Sequence, residues 1–178
     1  MQIDLLRHGE LQGEKVYCGI TDRKLTNYGW QQMLDACKTQ THWKKIISSP
    51  LSRCALFAEY LSRQTGLPLK LDARWQEMNF GEWDGRSALE IMEKDEVKLT
   101  QFWQNPLTVT PPRGESLLEV KTRVLHAWDE LVKHNEPTLV ITHGGPMRII
   151  HCHLYGHPLH QLLDIDINYG QLNSLTIN

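Results

Sequence analysis

The chain has 178 residues, 40% of them apolar and 22% charged. That suits a single domain spanning 1–178 and excludes disordered, collagen-like and coiled-coil classes. Nineteen Lys and Arg against 21 Asp and Glu leave a formal charge of −2, so no general attraction to nucleic acid or to an anionic membrane is expected.

Residues 2–6 form a short, mostly apolar run that stops at Arg7-His8-Gly9, the pattern of a buried strand ending in a loop. Asp4 interrupts it, so it is too short and too polar for a signal peptide, and a cytoplasmic location is expected. Residues 9–25, with Gly9, Gly13 and Gly19, read as a long loop. Thr26 or Asn27 caps a helix running to about Thr39, with Gly29 a weak point in its first turn. Lys45 to Ser49 is a second strand, stopped by Pro50. The next helix ends near Gly66-Leu67-Pro68, and Leu67 to Leu71 is a short strand.

Asp72 to Gly85 has no clean period. Residues 86–104 read as one or two short helices, and Pro111-Pro112-Arg113-Gly114 as a rigid loop. Glu115 to His134 carries a strong helical stripe. Thr138 to Thr142 is a buried strand, Gly144 to Tyr155 a helix. Leu162 to Ile167 and Leu172 to Ile177 alternate as an antiparallel hairpin would. Strands alternating with helices indicate a layered α/β domain, whose ligands bind beyond the carboxyl ends of the strands. Cys18, Cys37, Cys54 and Cys152 lie far apart, which suits reduced thiols.

Two expected strands end in histidine and glycine: Arg7-His8-Gly9 and Thr142-His143-Gly144-Gly145. A third ends at Ser48-Ser49, with Arg53 one turn into the next helix. In an α/β sheet these ends can converge. Arg7, Arg53, His8 and His143 would then make a positive site on a nearly neutral protein, and the backbone of Gly144 would open a helix there, which favours an anion. Arginine forks suit phosphate or carboxylate oxygens. Taken singly, Arg7 and His8 read as ordinary polar residues at a strand end.

In these positions the sequence resembles the histidine phosphatase superfamily. Arg7-His8-Gly9-Glu10 matches its Arg-His-Gly signature, Ser49 to Cys54 its Ser-x-x-x-Arg-x segment, Glu77 to Gly85 its Glu-x-x-x-Gly-x-Trp-x-Gly stretch, and Val140 to Gly145 its second histidine motif. The resemblance implies an α/β, three-layer phosphoglycerate mutase-like fold, its mostly parallel central sheet covered by helices on both faces. It also implies a phosphomonoester hydrolase working through a phosphohistidine, with no metal or organic cofactor. His8 would be the nucleophile. Arg7, Arg53, His143 and Gly144 would bind the phosphoryl group, and Glu77 would be the proton donor and then the base. A neutral imidazole is needed for attack, its second nitrogen oriented by an acceptor in the 9–25 loop. Without that role, Glu77 would be a loop carboxylate paired to Arg74 or Arg86.

Glu14 stands where many relatives have Asn, so a phosphate-binding role is not carried over to it. Glu10, Glu14, Thr21 and Trp83 are candidate substrate contacts. Trp83 and Trp103 flank a segment that could cover a substrate base, their competing role being packing.

The short chain, Tyr17 to Asp22 and the Glu77 to Trp83 core most resemble the bacterial alpha-ribazole phosphatases of cobalamin synthesis. A broad-specificity sugar phosphatase is the alternative. A phosphoglycerate mutase or an inactive phospholigand-binding module fits less well, since the chain is short and both His8 and Glu77 are present. The partner expected is a small phosphomonoester, with no nucleic acid or membrane, in a monomer or homodimer. His151, His153, His157 and His160 lack zinc-site spacing, and Lys121 to Arg123 reads as a solvated face.

Overall fold

The computed structural model describes residues 1–40 and 42–177. Its centre is a five-stranded sheet in the order β3-β2-β4-β1-β5. The strands are β1 (Gln2–Arg7), β2 (Lys45–Ser48), β3 (Leu69–Leu71), β4 (Thr138–Thr142) and β5 (Leu172–Thr176). All neighbours are parallel except β5, which runs antiparallel to β1 along one edge.

Side-chain alternation along the strands divides the core in two. Leu6, Ile46, Leu139 and Ile141 point to one face, under α1 (Asn27–Cys37) and α2 (Ser52–Thr65). Ile3, Leu5, Ile47 and Val140 point to the other. That face is covered by α3 (Ala88–Gln104), α4 (Leu117–His134) and α5 (Gly144–Tyr155). The expected three layers are therefore present. Asp4, fully buried, is held by the indole N–H of Trp43 at 2.8 Å.

Most element limits agree with the sequence pattern, and local chemistry explains them. The Thr26 hydroxyl accepts from Gly29 N and starts α1. Ser116, not Glu115, caps α4, in a reciprocal box with Glu119. The helix over 88–104 is continuous in hydrogen bonding but breaks its helical geometry at Asp95. Gly29 earns its place by contact: a Cβ there would sit 2.2 Å from Glu10 O, and one on Gly9 would sit 1.9 Å from Gly29 O. The pair lets the segment after His8 lie directly on the first turn of α1.

The C-terminal hairpin is corrected. Leu159–Asp164 is a 3-10 helix beginning after Pro158, and only Leu172–Thr176 is a strand. Leu162 and Ile167 are buried as alternation suggested, but the residues before β5 do not pair with its outer edge, which stays the margin of the sheet. Instead they cross the carboxyl end of the sheet, where Arg7 N donates to Gln171 O and Gly170 N donates to His8 O.

Candidate active site

Strand register brings the motifs together. Arg7 pairs with Thr142 and Ser48 with Ile141, so His8, Ser49 and His143 emerge at one level. His8 N donates to Thr142 O and Ser49 N to Ile141 O, extending the ladder one step past the strands.

His8 is 4% exposed. Its Nδ1 lies 2.8 Å from Gly9 O. A carbonyl only accepts, so Nδ1 carries the proton and the neutral ring leaves the Nε2 lone pair free. Burial, with Arg53 and Arg7 nearby, lowers its pKa from 6.5 to about 3. The ring of His143 stands edge-on at 5.2 Å.

Arg53 is buried. Its Nε donates to His143 Nδ1 at 3.1 Å, and its Nη atoms hold the carbonyls of Cys18, Gly19 and Thr21. Because Arg53 must donate, His143 Nδ1 must accept, and the His143 proton sits on Nε2, 2.8 Å from Ser49 Oγ. Burial and the neighbouring cations hold His143 neutral, its pKa well below the ordinary value. Both its ring nitrogens are thus engaged by protein groups.

Arg7 sends Nη1 to Ile167 O. Its guanidinium carbon lies 4.2 Å from the centre of the Tyr169 ring, a cation–π contact. Its Nε is buried without a hydrogen-bond partner among the described residues, a costly state for a charged donor unless an acceptor arrives. Gly144 lies against this guanidinium: a Cβ on it would come within 3.5 Å of Arg7.

Glu77 lies across the cleft floor. Its Oε2 accepts from Gly145 N at 3.1 Å, in the first turn of α5, and its Oε1 from Met78 N at 3.1 Å. A Cβ on Gly145 would fall 2.1 Å from Oε1, so only glycine admits the carboxyl there. The pairing to Arg74 or Arg86 does not form; Arg74 serves Asp72 and Glu130 instead. The sequence pattern assigned Arg123 to a solvated face. It instead donates to the carbonyls of Arg74, Gln76 and Glu77 and to Glu115, pinning the segment that carries Glu77.

His8, Arg7 and Glu77 line a cleft of about 460 Å³ whose walls include Lys15, Tyr17, Trp103 and Tyr169. A mostly apolar cavity of about 150 Å³ adjoins it beyond Glu77, lined by Phe102, Leu117 and Leu162 among others.

None of the four candidate substrate contacts lines that cleft. Trp83 is buried in the core, 5.6 Å edge-on from Phe102. Thr21 contributes its carbonyl to Arg53 and its N–H to Asp84. The carboxylate of Glu10 accepts from the Thr26 hydroxyl. Glu14 is exposed, on a neighbouring groove with Glu10, Arg23 and Tyr169.

Sequence reasoning gave no role of their own to Asp84, Ser49, Tyr17 or Tyr169. Asp84 lies inside the Glu77 to Gly85 stretch, and its carboxylate accepts from the N–H groups of Gly19, Ile20 and Thr21. It thereby shapes the loop whose carbonyls hold Arg53. Among the described residues, no cluster of three or more His, Cys, Asp or Glu is placed to hold a metal ion. No helix there is long and apolar enough to cross a membrane.

Known proteins show the same fold and share sequence with it. Phosphoserine phosphatase 1 of Hydrogenobacter thermophilus is 32% identical over 162 residues, 88% of this chain and 77% of that protein. The bifunctional protein Rv2228c of Mycobacterium tuberculosis is 31% identical over 153 residues, 82% of this chain. The match spans 42% of that mycobacterial protein, under half its length. Among solved structures, Bacillus stearothermophilus YhfR is similar with a TM-score of 0.92 and 27% identity, over 99% of this chain and 91% of that one. The alpha-ribazole phosphatase from Shigella flexneri shares the fold, with a TM-score of 0.90 and 23% identity over 100% and 91% of the two chains. The histidine phosphatase superfamily (branch 1) matches residues 3–178, and the chain belongs to that superfamily.

Proposed function

We propose that the protein hydrolyses phosphomonoesters through a phosphohistidine at His8. The observation that carries this is the buried, neutral imidazole whose Nδ1–H is fixed on Gly9 O, leaving Nε2 as the nucleophile. In the first step the Nε2 lone pair forms the N–P bond, the ester P–O bond breaks, and the leaving oxygen takes a proton from Glu77. In the second, water attacks phosphorus, its proton passes to Glu77, the N–P bond breaks and phosphate leaves. The buried, unpartnered Arg7 Nε, the N–H of Arg53 not spent on carbonyls, and the Gly144 N–H receive the phosphoryl oxygens. His143 joins them by exchanging Ser49 for a phosphoryl oxygen at Nε2–H.

The substrate we infer is alpha-ribazole 5'-phosphate. An apolar cavity next to the proton donor, with Phe80, Phe102 and Trp103 on its walls, favours a leaving group with a flat apolar base. A sugar phosphate would leave that surface uncovered.

Phosphate release would be measured in EDTA from alpha-ribazole 5'-phosphate, phosphoserine, 3-phosphoglycerate, glucose 6-phosphate and 4-nitrophenyl phosphate, with His8→Ala as control. Preference for the ribazole ester, lost by 10³-fold or more in the variant, is the expected result. Uniform turnover that still needs His8 would replace the ribazole assignment with a broad-specificity phosphatase. Turnover indifferent to His8 would overturn the mechanism.

A further inference from the structure

Tyr17 belongs to the loop after β1, and Trp103 to the last turn of α3. The two meet over the cleft, where Trp103 Nε1 donates to the Tyr17 hydroxyl at 2.6 Å. The His8 cleft and the apolar cavity beyond Glu77 share four wall residues: Tyr17, Glu77, Phe80 and Trp103. Three parts of that shared wall are held in place. Glu77 is fixed by two backbone N–H groups, and Phe80 packs edge-on against both Tyr17 and Phe102. Tyr17 in turn packs on Phe80 and Trp83. Trp103 is different. It is 42% exposed and lies at the end of a helix already broken at Asp95. Water can replace its hydrogen bond to Tyr17 at small net cost.

We propose that the Tyr17–Trp103 hydrogen bond is a size gate between the cleft and the apolar cavity, so that Tyr17 and Trp103 set which leaving groups the enzyme accepts. Closed, it confines the leaving group to the 460 Å³ cleft. Open, it joins the cleft to the apolar cavity and admits a bulky aromatic leaving group past Glu77. The inference rests on the phosphatase reading above and adds to it the residues that grade substrates by size.

The test uses phenyl phosphate and 2-naphthyl phosphate, which differ in bulk but carry similar leaving oxygens. Trp103→Phe removes the N–H donor, and Tyr17→Phe removes the acceptor oxygen while leaving the ring volume nearly intact. In each variant the ratio of kcat/KM for naphthyl over phenyl phosphate should rise about 3- to 10-fold, the range that the net worth of one hydrogen bond allows. The double variant should gain no more than Tyr17→Phe alone beyond the volume effect of Trp103→Phe, because both break the same bond.

An unchanged ratio in Tyr17→Phe would overturn the gate, even if Trp103→Phe responded. So would an equal loss on both substrates. If the unaltered enzyme released phosphate from neither ester in a His8-dependent way, the phosphatase reading itself would fail. That result is seen before any ratio is formed.

Discussion

The floor of the site and its outer wall are built differently. On the floor, His8, Arg53 and His143 are each under 5% exposed; strand register places His8 and His143, and its hydrogen bonds at the start of α2 place Arg53. On the wall, Lys15, Tyr17, Trp103 and Tyr169 come from a long loop, the end of a broken helix and the segment before β5; Trp103 and Tyr169 are 42% and 40% exposed. Chemistry at phosphorus needs groups that are desolvated and already aimed. Selecting a leaving group needs a surface that can change shape, and such surfaces lie where few buried contacts resist. On the proposed reading, then, the reaction lies at the ends of the most buried strands and leaving-group selection on the more exposed wall.

Glu77 stands between the two regions, and replacing it sharpens the contrast most. Glu77→Gln keeps the shape and an acceptor for Gly145 N but cannot give up a proton. Turnover of an alkyl phosphate should fall by about 10²- to 10⁴-fold, the usual contribution of a positioned acid. For 4-nitrophenyl phosphate, kcat/KM, which reports the transfer to His8 alone, should fall much less, because its leaving oxygen needs no proton. Equal losses in kcat/KM on both esters would make Glu77 part of the static floor and leave the proton donor unassigned.

Trp83 and Trp103 offer the same contrast in stability. The sequence places both tryptophans in or beside the aperiodic stretch and gives no way to separate core from wall. The structure puts Trp83 at 3% exposure and Trp103 at 42%. Trp83→Ala should lower the unfolding free energy by about 3–5 kcal/mol, as for a large buried aromatic. Trp103→Ala should cost about 1 kcal/mol, mainly its bond to Tyr17. Urea denaturation of both variants checks this. Similar losses would mean that the wall is as firmly packed as the core.

How far the sequence could be read follows from where each residue gets its position. β4 and α5 were legible to the residue, because a Thr-Leu-Val-Ile-Thr run followed by His-Gly-Gly is decided locally. His8, Arg53 and His143 were legible as a set because strand ends in such a sheet must face one way. Tyr169, Asp84 and Arg123 were not, since each acts on residues 46 or more positions away in at least one contact. No local period reports such contacts. Glu10 and Glu14 are close to His8 in sequence, yet they lie on the neighbouring groove rather than in the cleft, although Leu11, Lys15 and Tyr17 of the same loop line it. Residues 162–167 satisfied the strand period, but a 3-10 helix starting after Pro158 takes up Leu159–Asp164, and Leu162 and Ile167 are buried without strand pairing.

A pH dependence tests the electrostatic side of the contrast. His8 holds its pKa near 3 in the folded protein, against about 6.5 in an unfolded chain. Above pH 6.5 neither state binds the proton, and stability does not depend on this group. Between pH 6.5 and 3 the unfolded chain binds a proton that the folded protein refuses, so stability falls as the pH falls. His143, shifted in the same direction, adds to that slope. Replacing His8 with Asn removes its share, at most about 1.4 kcal/mol for each pH unit below the unfolded value. At about 2–4 °C for each kcal/mol in a chain of this size, Tm between pH 6.5 and 4.5 should decline up to about 5–9 °C less in His8→Asn than in the unaltered protein. Parallel slopes would mean that His8 titrates alike in both states, as an exposed imidazole does. The floor would then lose the desolvation that keeps the proposed nucleophile neutral, and with it the physical distinction from the wall.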